Sequence, residues 1–196
     1  MFEIFTVCTG NICRSPLAEQ LLRARLADLA PYVASAGTRG LPAAPMTREA
    51  AHIAKALGVP ADETAEHRSR FLTEQHLLKP DLILAMTRTH RREIAELAPS
   101  RLRSTFTIRE FARLATAVPA DELRAATDAA TSASEKVRAA ASVVASYRGL
   151  VPPPDDPADD DVIDPYRQPW ETYLLSAQQL EPAVTVVAQT VRTALA

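Results

Sequence analysis

The sequence has few cysteines, no long apolar run and almost no net charge, and each of these excludes a class of protein. Its two cysteines exclude a fold built on several disulfides or on paired zinc ligands, and they favour a reducing compartment, the cytoplasm. No run of about 18 apolar residues is present and Glu3 stands where a signal peptide would be basic, so we expect neither a membrane span nor a signal peptide. The net charge of -2 argues against nucleic acid as the main partner.

The length and the residue pattern predict one α/β domain. A chain of 196 residues that is 47% hydrophobic can bury one substantial core, so we expect a single domain over residues 1–196. Strand patterns alternate with helix patterns, which predicts a four-stranded parallel sheet with helices on both faces. The predicted strands are 2–8, about 32–37, 81–86 and about 104–108, and the predicted helices are 16–30, 47–57, about 73–79, 89–97 and 169–195, the last kinked or interrupted at Pro182.

The most informative segment is VCTGNICRSP at residues 7–16, between an apolar run and a helical pattern. Only five residues separate Cys8 from Arg14, so the backbone must curl around one small ligand. The N–H groups of such a curl converge with the first turn of the following helix to form an anion site. Ser15 is expected to cap that helix, with Pro16 in its first position. The segment therefore predicts a phosphate-binding loop that contains a cysteine nucleophile.

The residue types in this loop suit phosphoryl chemistry. Arg14 can bind two phosphate oxygens with its planar guanidinium and stabilise charge in the transition state. The guanidinium and the N–H dipoles favour the thiolate form of Cys8, which is then a nucleophile. Gly10 and Asn11 are the residue types that most readily adopt the left-handed backbone of a tight curl. The predicted phosphate-binding residues are Thr9, Gly10, Asn11, Ile12, Cys13, Arg14 and Ser15.

Hydrolysis of an aryl phosphate also needs a proton donor, because a phenolate whose parent pKa is about 10 leaves more easily once protonated. Two Asp-Pro dipeptides compete for this role. Asp156 lies in an acidic, proline-rich stretch that is typical of an extended, solvated linker. Asp164 follows two apolar residues and precedes Tyr166 and a helix, so it can be held in place. Asp164 is the better candidate, and the alternative for it is a simple turn.

Residues 7–16 resemble the signature loop of the low-molecular-weight protein tyrosine phosphatases. The similarity continues through residues 35–38, 67–70, 81–87 and 164–166, and covers most of 1–112 and 162–196. The resemblance implies that Cys8 attacks phosphorus while Arg14 holds the phosphoryl oxygens. It also implies that Ser15 stabilises the thiolate as a leaving group. Asp164 would be the general acid and then the general base that activates water against the cysteinyl-phosphate.

The resemblance also implies a supporting histidine and a redox partner for the nucleophile. His67 matches a family position whose imidazole hydrogen-bonds the loop asparagine, here Asn11, although a surface position is the alternative. Cys13 matches a cysteine that in some members forms a reversible disulfide with the nucleophile, here Cys8, and otherwise it is a buried loop residue. His52, His76 and His90 are expected to be solvated, and no metal-ligand spacing links them. We expect no metal and no other cofactor.

The implied substrate is phosphotyrosine in a protein. Its ring requires a deep pocket with apolar walls, for which Thr9, Ile12, Leu41 and Tyr166 are the candidates. Leu41, where many members carry Trp, and Arg167 are similar to the bacterial branch of the family. That branch acts on tyrosine autokinases of capsule and exopolysaccharide export, so the resemblance implies such a kinase as the partner. The oligomeric state is not predicted by any pattern.

Residues from about 113 to 161 depart from the family, which is typically shorter there. Ala-rich stretches at 120–130 and 133–148 predict helices, and an acidic, proline-rich segment follows them. One interpretation is a surface helical hairpin with a flexible tether. The other is a lid that docks a partner, because the insertion ends just before Asp164.

Two other functions compete with hydrolysis. A thioredoxin-coupled arsenate reductase uses a similar loop but needs further cysteines, and this chain has none after Cys13. An arsenate reductase served by an external small thiol would escape that objection. A phosphotyrosine-binding module without turnover is the second alternative, and the presence of Cys8, Arg14 and Asp164 argues against it.

Overall fold

One parallel sheet organises the protein, which a computed structural model describes over residues 1–40 and 42–196. The strands lie in the order β2-β1-β3-β4, and all three pairings are parallel, which confirms the predicted sheet. Parallel neighbours bring their carboxyl ends to the same edge, so the residues that follow β1 and β3 meet there. The strands are β1 (Glu3–Cys8), β2 (Tyr32–Gly37), β3 (Leu82–Ala85) and β4 (Thr105–Thr107).

Helices connect and cover the strands. They are α1 (Arg14–Arg25), α2 (Arg48–Ala56), α3 (Ala61–Glu66), α4 (Glu74–Leu78), α5 (Arg88–Leu97), α6 (Ile108–Ala117), α7 (Ala120–Thr127), α8 (Ala133–Ser146) and α9 (Trp170–Leu195). The helices α3 and α6 were not predicted from the pattern. Thr47 caps α2 as expected, accepting a hydrogen bond from the N–H of Ala50. Among the described residues, no helix is long and apolar enough to cross a membrane.

The predicted start of α1 was wrong, and of the two outcomes expected at Pro182 the structure excludes an interruption. The helix α1 begins at Arg14, with Cys13 as its N-cap, so Ser15 lies inside the first turn. The Ser15 hydroxyl cannot cap the helix because it faces Cys8 and Asn11 instead. The helix α9 continues through Pro182 without the interruption that was one of the two expected outcomes. Buried apolar residues on both sides of the proline outweigh the one backbone hydrogen bond that it removes.

The sheet separates two apolar cores. On one face, Ile4 packs with residues of α1, α2, α6, α8 and α9 in the larger core. On the other face, Phe5 and Val7 pack with residues of α4 and α5. The alternation along β1 follows from the two-residue period of a strand. Both faces of β1 are therefore buried, and its end at Cys8 is fixed from two sides.

The insertion is attached more firmly than a surface hairpin with a flexible tether would be. Val137, Ala141 and Val144 of α8 are buried in the larger core, so this helix is part of the folded body. The acidic segment that follows is held by arginines of α5 and α6. Arg113 donates to both carboxylate oxygens of Asp160 at 2.9 and 3.2 Å. A flexible tether is therefore the wrong description.

Candidate active site

The Cys8 thiol lies at the carboxyl end of β1, at the base of the loop, and only 2% of the residue is exposed. Its Sγ accepts a hydrogen bond from the Asn11 N–H at 3.2 Å and lies 3.0 Å from Ser15 Oγ. Groups at these positions can donate hydrogen bonds to negative charge on sulfur. The geometry suits both an attacking thiolate and a thiolate that must later leave phosphorus.

Asn11 holds the curl of the loop through its backbone and its side chain. Its φ of 55° is left-handed, and the residue is fully buried. The side-chain amide donates to Ser15 Oγ at 2.9 Å and to Ser35 Oγ at 2.7 Å, while Oδ1 accepts from the Arg70 N–H at 3.0 Å. Nε2 of His67 lies 2.8 Å from the Asn11 carbonyl oxygen. Three separate parts of the chain thus converge on one loop residue.

Gly10 and Gly37 let neighbouring atoms of the chain approach the loop closely. The expectation of a left-handed backbone at Gly10 was wrong, since Asn11 alone adopts it within the loop. A Cβ at Gly10 would lie 3.3 Å from Cγ1 of Ile12, so glycine leaves room for that side chain. At Gly37, a Cβ would lie 2.4 Å from the Thr9 carbonyl oxygen. The loop therefore rests directly against the end of β2.

Arg14 is a buried cation whose guanidinium is only partly satisfied by the protein. Nη1 donates to the Val162 carbonyl at 3.0 Å, while Nη2 pairs with Oδ2 of Asp164 at 2.7 Å and contacts Thr9 Oγ1 at 3.4 Å. Nε is buried and has no hydrogen-bond partner within the described part of the chain. A buried donor without a partner costs about 1–3 kcal/mol, so a bound anion would be stabilised here.

Asp164 lies beside the loop and pairs with Arg14, although 150 positions separate the two residues in the sequence. Its side chain is 49% exposed, and Oδ1 accepts from the Tyr166 N–H at 3.2 Å in a local turn. The preceding backbone is anchored, because the Val162 N–H donates to the Met86 carbonyl just after β3 at 2.8 Å. Asp156, the competing candidate, instead accepts a hydrogen bond from the N–H of Ala158 in a short turn.

An open cavity of about 280 Å³ lies over the loop. Its lining contains Ile12 and Tyr166 from the predicted pocket, together with Arg39, which the sequence did not single out. Leu41 lies outside the described residues. No described residue of the insertion lines the cavity, which argues against the lid. The described lining is Cys8, Thr9, Gly10, Ile12, Cys13, Arg14, Arg39, Asp164, Tyr166 and Arg167.

The two loop cysteines lie in different environments. Both are free and buried in this structure. Cys13 lies 3.5 Å from Thr47 Oγ1 and 3.9 Å from the Tyr173 hydroxyl. Burial raises the pKa of the Cys13 thiol to about 11, so it is protonated at neutral pH. In the reduced protein Cys13 is therefore a neutral thiol. The disulfide between Cys8 and Cys13 stays a prediction.

His90 was wrongly expected to be solvated. Only 4% of the residue is exposed, because α5 begins directly after β3 and turns this side chain towards the loop. Burial, and to a smaller degree the charge of Arg14, lower the pKa of His90 to about 4. Its ring contacts the hydroxyls of Thr9 and Thr87, each at 2.8 Å. A neutral imidazole thus lies next to the loop, and no local pattern in the sequence indicated it.

This geometry can be compared with known proteins. A sequence model of the family described as low molecular weight phosphotyrosine protein phosphatase matches residues 3–121. The chain belongs to this family. The family match includes the loop and the sheet but ends before Asp164, which the fold alone brings to the site.

Relatives in the phosphatase family include proteins from several bacteria. The low molecular weight protein-tyrosine-phosphatase Etp of Escherichia coli K12 is 44% identical over 97 residues, or 50% of this chain and 62% of Etp. A probable low molecular weight protein-tyrosine-phosphatase, EpsP of Ralstonia solanacearum, is 38% identical over 108 residues, or 55% of this chain and 71% of EpsP. The match to Etp thus spans less than two thirds of its length.

The phosphatase fold extends over nearly the whole chain. The YwlE arginine phosphatase from Geobacillus stearothermophilus superposes with a TM-score of 0.68 at 26% identity, covering 98% of this chain and 94% of that structure. The structural similarity therefore includes α9 and the segment around Asp164, which lie beyond the sequence match to the family.

Proposed function

We propose that this protein hydrolyses phosphotyrosine in proteins through a cysteinyl-phosphate intermediate. The observation that carries the proposal is the placement of Cys8 Sγ under hydrogen-bond donors in a cavity whose wall contains both Arg14 and Asp164. The nucleophile and the cation come from one loop and the carboxyl group from a distant segment, and all three meet at one cavity. The membership of the family supports the same reaction.

In the first step, the Cys8 thiolate attacks phosphorus and the bond between phosphorus and the phenolic oxygen breaks. Arg14 and the loop N–H groups bind the equatorial oxygens, and the unpartnered Nε of Arg14 gains an acceptor. The phosphoryl group replaces the Asp164 carboxylate beside the guanidinium. Asp164 then acts as the general acid and gives a proton to the phenolic oxygen as it leaves.

In the second step, water attacks phosphorus and the bond between sulfur and phosphorus breaks. Asp164 accepts a proton from the water, and inorganic phosphate leaves. The Cys8 electron pair returns to sulfur, where the Asn11 N–H and the Ser15 hydroxyl stabilise the thiolate. Ser15 and Asn11 therefore lower the barrier to the second step as well as holding the loop.

The test is hydrolysis of p-nitrophenyl phosphate and of phosphotyrosine peptides by the parent protein, Cys8→Ser and Asp164→Asn. We expect Cys8→Ser to have no measurable turnover, since a neutral hydroxyl is a much weaker nucleophile than a thiolate. We expect Asp164→Asn to accumulate phosphate on Cys8 with a phosphate ester that has a good leaving group, detected by mass spectrometry after rapid quenching. Equal rates for all three proteins would exclude the mechanism.

Phosphoarginine is a second candidate substrate, because the structural relative YwlE is an arginine phosphatase. The cavity wall argues for the aryl substrate. Ile12 offers an apolar surface to a ring, while Arg39 and Arg167 would repel the cationic guanidinium of phosphoarginine. Matched peptides that carry phosphotyrosine or phosphoarginine separate the two, and we expect kcat/KM to favour phosphotyrosine. A preference for phosphoarginine would overturn this choice of substrate and leave the cysteine mechanism intact.

We propose a tyrosine autokinase of capsule or exopolysaccharide export, acting in the cytoplasm, as the protein substrate. The support is the pair Gly40-Leu41, together with Arg167 directly after Tyr166, which resemble the bacterial branch in sequence. The basic side chains of Arg39 and Arg167 at the cavity suit a phosphorylated segment of negative charge. The test compares kcat/KM for a phosphorylated kinase tail with that for the same tail in scrambled order. Equal values would exclude recognition of that segment.

A further inference from the structure

We propose that His90 is a positioning residue that orients Arg14 through the hydroxyl of Thr9. This inference rests on the proposed function and assigns a role to a buried polar side chain that the mechanism above does not use. Nε2 of His90 lies 2.8 Å from Thr9 Oγ1, and Nδ1 lies 2.8 Å from Thr87 Oγ1. The ring thereby joins the ends of β1 and β3, which lie side by side in the sheet.

The contact continues to the cation that binds the phosphoryl group. Thr9 Oγ1 accepts a hydrogen bond from Nη2 of Arg14 at 3.4 Å, and the same nitrogen pairs with Asp164. A phosphoryl group that displaces Asp164 leaves Thr9 and Val162 as the protein groups that orient the guanidinium. The orientation of Arg14 in the loaded site therefore depends on where the Thr9 hydroxyl is held.

The environment of His90 fits a fixed, neutral ring. Thr87 is the N-cap of α5, and its hydroxyl also accepts the N–H of His90 at 3.3 Å. A neutral imidazole has one donor and one acceptor nitrogen, so two hydroxyl partners satisfy it completely. A second cation next to Arg14 would repel its guanidinium, and the neutral ring avoids this repulsion.

Four variants test the role. His90→Leu removes both ring hydrogen bonds, and His90→Gln keeps a polar atom near the position of Nε2. Thr9→Val removes the hydroxyl that links the ring to Arg14, and the double variant joins Thr9→Val to His90→Leu. His76→Leu is the matched control, because His76 lies near the opposite end of the sheet, stacked on Phe5.

We expect His90→Leu to lower kcat/KM for p-nitrophenyl phosphate by about 10-fold or more and to weaken binding of inorganic phosphate, measured by calorimetry. His90→Gln should recover most of the loss, and His76→Leu should stay within about twofold of the parent. The double variant should be no worse than the poorer single variant, because both changes break one chain of contacts. If His90 had only a structural role, the losses of the two single variants would be independent and would multiply in the double variant.

Each outcome decides the inference separately from the proposed function. The inference about His90 would be overturned if the activity of His90→Leu stayed within twofold of the parent, or if the two losses multiplied in the double variant. Hydrolysis by the parent protein would still support the proposed function. A parent protein that binds phosphate without hydrolysing the ester would overturn the function, and the phosphate affinities of the variants would still test His90. If His90→Leu does not fold, Thr9→Val and His90→Gln supply the comparison, and full activity in both would refute the role.

Discussion

The loop at residues 8–15 and the segment at residues 162–166 form two halves of one site, and they are built differently. In the loop, Asn11 and Ser15 are fully buried and bonded to each other and to distant parts of the chain. In the segment, Asp164 is half exposed, and its carboxylate contacts only Arg14 and the N–H of Tyr166 among the described residues. The anion site is therefore fixed before substrate binds, while the proposed proton donor can exchange its partner during the reaction.

The largest expected effect on activity comes from removing the proposed proton donor, Asp164, in the more exposed half of the site. We expect Asp164→Asn to lower kcat by about 100- to 1,000-fold for phenyl phosphates with poor leaving groups. The loss should shrink as the leaving group becomes more acidic, because such a phenolate leaves without a proton. The folding stability should change little, since the side chain is half exposed.

A series of substituted phenyl phosphates measures that dependence. A loss that is equal for all leaving groups would contradict the role of Asp164 as the acid. Thermal unfolding of the variant serves as the control for the fold.

Changes in the loop should affect stability and activity together. We expect Asn11→Ala to lower kcat/KM by about 10- to 50-fold and to destabilise the fold by about 2–4 kcal/mol, because buried partners lose hydrogen bonds and φ is left-handed. Asn11→Gly loses the same side chain without the backbone strain, so it should be about 1 kcal/mol more stable than Asn11→Ala.

Chemical unfolding and steady-state kinetics on both variants give the comparison. Equal stability of the alanine and glycine variants would show that the left-handed backbone at Asn11 carries no strain.

A smaller effect is expected where the segment is anchored. Asp161 lies three residues before Asp164. Its carboxylate accepts hydrogen bonds from the Arg88 backbone N–H at 2.7 Å and from Arg88 Nη2 at 3.0 Å. Half of the Arg88 side chain is exposed, so water and salt weaken this ion pair and its contribution to stability is small. We expect Arg88→Ala to lower kcat by about 3- to 10-fold through a less ordered segment, with the difference fading at high salt.

The matched control is Arg92→Ala on the same helix, because Arg92 pairs with Glu96 at 3.9 Å and the two side chains are 69% and 70% exposed. Steady-state kinetics at low and high salt decide the point, and identical kcat in the two variants would contradict an anchoring role for Arg88.

The smallest effect on activity is expected in the insertion. Val144→Ala of α8 leaves a cavity in the larger core and should cost about 2 kcal/mol of stability, while activity stays within about twofold. Ser142→Ala, at an exposed position of the same helix, is the control and should change neither. Thermal unfolding and the phosphatase assay test both variants. A large loss of activity in a folded Val144→Ala protein would support the interpretation of the insertion as a lid.

Much of the fold was predictable because its signals are local. The apolar run before Cys8, the helical spacing after Arg14 and the cap at Thr47 depend on residues within one or two turns. The strand order β2-β1-β3-β4 was not predicted, because pairing between distant strands decides it. The start of α1 was placed two residues late, because the Ser15 hydroxyl, a good cap by residue type, is used by Cys8 and Asn11 instead.

Within the candidate site, the sequence indicated Cys8, Arg14 and Asp164 through residue type and motif. It could not indicate His90, whose neighbours along α5 are charged and exposed, or Arg39, which lies in no helical or strand pattern. The sequence also did not indicate that α8 packs in the larger core. Val137 and Val144 lie among alanines, and this pattern is typical of a weakly apolar surface helix.

By itself, the sequence determined that a curled loop would place a cysteine and an arginine at the end of a strand, because dihedral preferences and apolar periodicity act over about ten residues. Only the tertiary structure decided what surrounds that loop. Ser35 and His90 reach it because parallel strands bring their carboxyl ends to one edge. Arg70 reaches it because its carbonyl accepts the N–H of Gly37 at the end of β2. Asp164 reaches Arg14 because its preceding backbone pairs with the end of β3, a contact between residues 76 apart that no local pattern encodes.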